Sequence, residues 1–109
     1  MRVIATPEVQ LFFEELAYIL YEKDYFSFRD LAHKYADSLF AEIKAELPFY
    51  AHKPAPKHFD RYGENMEYAV FRKSKHTSWY VFFRVYWEDG EEIFQVRHIT
   101  NNHVAAQYL

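Results

Sequence analysis

Two groups of residues have types and spacing that bear on chemistry. Arg72, Lys73, Lys75 and His76 follow one another at the end of a β-like run, and Arg84, Arg97 and His98 lie on later β-like runs. Cations offset the charge that develops on phosphate, and Lys, His or Tyr can move protons. A sheet carrying Arg, Lys, His and Tyr without carboxylates therefore suits an RNA backbone. Side-chain alternation along a strand separates Arg97 from His98 and assigns them to opposite faces. A solvated strand face beside a basic hairpin accounts for the same residues without chemistry, and composition alone favours that plainer reading. His52, His58 and Asp60 form a weaker set in a Pro-rich stretch, with no spacing typical of a metal site. No Gly-rich phosphate loop, His-Glu-x-x-His pattern or Gly-x-Ser-x-Gly elbow occurs, so neither metal nor cofactor is expected.

The elements that must position these residues come from one chain of 109 residues, a length that suits a single domain spanning 1–109. It has no cysteine, which excludes disulfide scaffolds, thiol catalysis and thiolate zinc sites. No apolar run approaches the ~20 residues of a membrane span, and the N-terminal residues lack the apolar core of a signal peptide. A cytoplasmic protein without membrane partners is expected. Net charge is −3, unevenly placed. Residues 51–87 hold seven Lys/Arg against three acids, whereas residues 1–50 hold five against nine. The basic footprint is thus local. Aromatic residues reach 21% of the chain, enough to fill a small core with rings.

Val3 and Ile4 mark a short N-terminal strand. Thr6-Pro7-Glu8 is a helix start, with a capping side chain, a proline at the first helical position and an acid in the first turn. Val9, Phe13, Leu16 and Leu20 then recur at helical spacing, to about Glu22. Ser27-Phe28-Arg29-Asp30 resembles a capping box. Leu31, Tyr35, Leu39, Ile43 and Leu47 lie four apart until Pro48 stops the helix. Two amphipathic helices with a short link form an antiparallel hairpin. Phe49–Gly63 is expected to be a basic loop over one end of the domain, and its length makes it a functional suspect. Asn65–Arg72, Ser78–Trp87 and Glu92–Ile99 are β-like, the last two joined through Asp89-Gly90, a strong hairpin signal. Trp79, Val81, Phe83 and Val85 share one face; Tyr80, Phe82, Arg84 and Tyr86 share the other. Both are bulky, which predicts a central strand covered on both sides. The tail His103–Leu109 is expected to pack back on the sheet. The fold class is α+β: an N-terminal strand and a helical hairpin on an antiparallel or mixed sheet of about four strands.

This order, β-α-α-β-β-β, resembles the RelE/ParE superfamily, the toxins of bacterial type II toxin–antitoxin modules. The resemblance concentrates in Tyr68-Ala69-Val70-Phe71-Arg72, Trp79-Tyr80-Val81-Phe82-Phe83, Asp89-Gly90 and Ile93-Phe94-Gln95-Val96-Arg97-His98-Ile99. It implies a toxin-like component bound by a cognate antitoxin and, in the ribosome-dependent branch, an mRNA endonuclease that cleaves without metal through 2′-hydroxyl attack. Arg72 and Arg84 then stabilise charge on phosphate, His98 or Tyr108 shuttles protons, and Lys73, Lys75, His76 and Arg97 bind RNA. Tyr80 stands where many active members carry Arg, Thr100 falls near where several carry His, and the chain is acidic where ribosome-dependent members are strongly basic. These departures point toward the alternative, a non-catalytic member that binds protein, such as the gyrase-poisoning branch. The resemblance leaves the oligomeric state open.

Overall fold

The computed structural model describes residues 1–23 and 28–105. Strand β1 (Arg2–Ala5) leads into α1 (Pro7–Glu22), and α2 (Arg29–Glu46) follows. A 3₁₀ turn at Leu47–Phe49, the two-residue strand β2 (Lys53–Pro54) and a 3₁₀ helix at Lys57–Tyr62 come next. Strands β3 (Glu67–Arg72), β4 (Ser78–Glu88) and β5 (Glu91–Asn101) and the short α3 (Asn102–Ala105) complete the order. The start of α1 is as its sequence requires: Thr6 Oγ1 accepts from the Val9 N–H at 3.4 Å, with Pro7 in the first helical position. The capping box at Ser27 lies outside the described residues; Phe28 occupies the cap of α2 without a side-chain bond.

The sheet has five strands in the order β1-β5-β4-β3-β2, one more than the sequence led us to expect. The extra strand, β2, is only Lys53–Pro54 against Tyr68 and Glu67, too short to show as an apolar alternation. β1 runs parallel to β5, and the other pairs are antiparallel. Asp89 and Gly90 both take positive φ, 52° and 75°, as a two-residue hairpin between paired Glu88 and Glu91 requires.

The helical hairpin covers one face. Its buried Val9, Phe13, Leu16, Ala36, Leu39 and Ile43 pack against Phe71, Trp79, Val81, Phe83, Phe94, Val96 and Ile99. The second face has its own smaller core of Phe59, Met66 and Phe82. The segment expected to lie over one end of the domain supplies that cover: the 3₁₀ helix lies on the second face, with Phe59 stacked on Phe82 at 4.2 Å between ring centroids. β4 is thus buried on both sides, as its two bulky faces predict.

One expectation is overturned. Phe83 pairs with Val96 but Phe82 pairs with His98, so Arg97 is an extra residue in β5, a β-bulge. Val96 and Ile99 both join the helix-side core although they are three apart. A bulge breaks the period of two. Arg97 and His98 therefore do not lie on opposite faces. Both reach the second face, where each contacts Tyr62.

Candidate functional site

The bulge places a cation and an imidazole side by side on β5, just past the residues that β1 pairs with. Arg97 Nε donates to the Tyr62 carbonyl at 2.7 Å, and Nη1 donates to Gln95 Oε1 at 3.0 Å. The His98 ring lies flat on the Tyr62 ring, 3.7 Å between centroids and 5° between planes, with Phe82 and Phe59 around it. Burial pushes the His98 imidazole down from its ordinary 6.5 to about 4, so it is neutral near pH 7. The 3₁₀ helix can come this close because Gly63 follows it. Its φ is +150°, and a Cβ there would sit 2.8 Å from Arg97 Nε.

These residues line a cleft of about 420 Å³ with Arg61, Thr6, Glu8, Val9, Phe12 and Ile99. One wall is the first turns of α1, the other is the 3₁₀ helix, and the floor is the bulged end of β5. Two guanidinium groups, a neutral imidazole and a tyrosine ring meet there, with Glu8 the one carboxylate among the lining residues. Such a set has the chemistry to complement an anion with an apolar or aromatic portion. Two guanidinium groups offset phosphate charge, and a neutral imidazole accepts a proton. Arg84, exposed on β4, stands opposite Gln95, whose side chain accepts from Arg97.

The remaining expected site residues lie elsewhere. Arg72 is opposite Ser78, and Ser78 is six residues from Arg84 on β4, about 20 Å along the strand. Arg72 is exposed, its Nε donating to the Ser74 carbonyl at 3.3 Å. Lys73 is engaged: its ammonium group bonds Glu42 Oε2, while the Tyr50 hydroxyl donates to Glu42 Oε1 at 3.0 Å. That Lys73 bond, foremost, holds the Glu42 carboxyl below its usual range, and burial together with Glu42 pushes the Tyr50 hydroxyl up. Lys75 and His76 are exposed in the β3–β4 turn. Tyr108 lies outside the described residues. The structure thus joins Arg97 and His98 in the cleft, sets Arg84 opposite Gln95 on β4 outside its lining, and leaves Arg72, Lys73, Lys75 and His76 at the far end of the sheet. Arg61 and Tyr62 were not singled out from sequence. Their signal was the long basic segment closed by Gly63. Among the described residues no group of His, Asp and Glu is arranged to hold a metal ion, and no helix is long and apolar enough to cross a membrane. No protein-family model, curated protein or solved structure matches the chain.

Proposed function

We propose that this chain is a toxin-like component of a bacterial type II module, acting in the cytoplasm and engaging RNA at the Arg61–Arg97–His98 cleft. The observation that carries the reading is the bulge at Arg97, which sets a guanidinium group and a neutral imidazole on one face beside a second guanidinium. The resemblance in the sequence rests on the order β-α-α-β-β-β, and the two-residue β2 is the strand added to it. In RNA cleavage, the His98 imidazole would take the proton of the 2′-hydroxyl as its oxygen bonds to phosphorus; the bond from phosphorus to the 5′-oxygen would break, leaving a 2′,3′-cyclic phosphate and a 5′-hydroxyl protonated from water, while Arg97 and Arg61 would offset the charge gathering on the phosphate. The test is induced expression in a bacterial host, following growth and the ends of ribosome-bound mRNA. The expected result is arrest with new ends, lost in Arg97→Ala and Arg61→Ala and kept in Arg72→Ala. Arrest lost in Arg72→Ala but kept in Arg97→Ala would overturn the assignment of the site.

A second reading has its own support. Leu11, Tyr18, Ile19 and Leu31 are exposed on the helical hairpin. Exposed apolar groups of this kind suit a member that binds a protein such as gyrase and cleaves nothing. Arrest without new RNA ends would favour it.

A further inference from the structure

Leu20 closes the apolar stripe of α1, and Trp79 stands near the start of β4. Both are buried where the helices meet the sheet. Two adjoining clefts lie against them, of about 370 and 150 Å³, and both are lined by Leu20, Trp79, Asn101 and His103. The larger runs over Leu16 and Ile99 to Phe12. The smaller runs from Leu20 to Tyr35 and the β3–β4 turn. Trp79 Nε1 donates to the Tyr35 hydroxyl at 2.8 Å, so the indole offers a ligand only its ring.

The rim is held by hydrogen bonds. Asn102 Nδ2 donates to the His76 carbonyl at 3.0 Å, and Asn102 Oδ1 accepts from the Ser78 N–H at 2.9 Å. These bonds tie the start of α3 to the β3–β4 turn and set His103 at the mouth. The turn itself is closed by the Lys73 and Ser74 N–H groups, which donate to the Thr77 carbonyl at 3.0 and 3.2 Å. Charge around the mouth has one sign. Among the described residues that line the two clefts, Lys23, Lys73 and His103 stand without any carboxylate. Lys73 is committed to Glu42, whereas Lys23 and His103 are exposed.

We propose that the paired cleft is a binding site for a small aryl carboxylate. An apolar space on the order of 150 Å³ takes one six-membered ring. The ring of the ligand lies on Leu20 and Trp79 in the smaller space, and its carboxylate meets Lys23 and His103 at the mouth. A helix, about 10 Å across, is too wide to enter there. An amine would meet like charge, and a neutral ring would leave the cations unanswered. The two clefts share only Phe12 and Ile99 with the Arg61–Arg97–His98 cleft. The site therefore stands whether or not the chain engages RNA.

The probe is hydrocinnamate, compared with its amide and with phenylpropylamine. The chain has two tryptophans, and Trp87 is exposed, so Trp87→Phe leaves Trp79 as the one reporter in an otherwise intact protein. Trp79 fluorescence and the shifts of its Nε1–H and of the Leu20 methyl groups are the readouts. The expected result is saturable binding of the carboxylate, roughly fivefold weaker binding of the amide, and none of the amine. In Lys23→Gln the preference for carboxylate over amide should shrink. In Lys75→Gln, in the turn but outside both clefts, it should stay. No saturation, equal binding of all three compounds, or shifts centred away from Trp79 and Leu20 would overturn the proposal. An unchanged preference in Lys23→Gln would do the same. Nuclear Overhauser contacts from the Trp79 ring to residues 106–109 in the free protein would assign the cleft to the chain's own tail and overturn it as well.

Discussion

The rings of Tyr62 and His98 lie 3.7 Å apart and 5° from parallel, although the two residues belong to different layers of the fold. The stack joins the 3₁₀ helix to the bulged strand and keeps the imidazole from water. A proton that enters His98 must be desolvated with it, so the folded state holds the neutral form down to about pH 4. The unfolded chain takes up the proton near the ordinary 6.5. Below that value the unfolded state binds more protons than the folded one, so this residue's stability contribution, full above pH 6.5, is lost as pH falls toward 4. Carbon-bound proton NMR of His98 should show a midpoint near pH 4. In His98→Phe the part of the stability loss that lies between pH 6.5 and 4 should shrink. A titration at the ordinary value would mean that the stack does not persist in solution.

Gly63 holds the same joint from the other side. Its φ of +150° disfavours any other residue, and an added Cβ would press on Arg97 Nε and on Met66. Gly63→Ala should cost about 1–3 kcal/mol in denaturant unfolding, a combination of backbone strain and displaced Arg97. The bond from Arg97 Nε to the Tyr62 carbonyl should weaken with it, which the Nε–H resonance of Arg97 would report. Wild-type stability in this variant would show that the loop relaxes freely.

Most of the scaffold was legible because each element carried a local physical signal. Thr6 and Pro7 start α1, Pro48 ends the second apolar stripe, and Asp89-Gly90 takes the two positive φ angles its hairpin needs. The two bulky faces of β4 announced cover on both sides. The site was less legible. Strand alternation assigned Arg97 and His98 to opposite faces, and a bulge has no signature in an apolar run of this kind. Nor does a basic segment reveal that Phe59 anchors it on Phe82 and so carries Arg61 and Tyr62 to β5. That placement is a long-range packing choice. Lys73 shows the converse case: its position in a basic run suggested a ligand contact, yet Glu42, on α2, claims it.

The Glu42–Lys73–Tyr50 group makes its own prediction. The Glu42 carboxyl is held below its ordinary 4.5, chiefly by the hydrogen bond from Lys73. Its contribution is therefore present above pH 4.5 and lost as pH falls through the lowered value. Glu42→Gln should cost about 1 kcal/mol at pH 7 and nearly nothing once the carboxyl is protonated. Chemical denaturation at the two pH values would check it. If the site depends on the Arg61–Arg97–His98 cleft, the same variant should leave any RNA-dependent growth arrest intact, because this group lies at the far end of the sheet.

Phe82 decides whether the second face is a separate structural unit. Its ring is fully buried and stacks on Phe59, 4.2 Å between centroids, beneath the 3₁₀ helix. Phe82→Ala should cost about 3–5 kcal/mol. Leu39, equally buried, lies in the helix-side core, and Leu39→Ala should cost about 2–5 kcal/mol. Similar losses would arise from different places. Without Phe82 the Phe59 anchor loosens, Tyr62 lifts from His98, and the imidazole titration should climb from about 4 toward 6.5. In Leu39→Ala, where the folded state is still populated, it should stay near 4. An equal rise in both variants would tie His98 to global loosening. A rise in Phe82→Ala alone would show that the anchoring of one loop by one ring keeps the imidazole neutral.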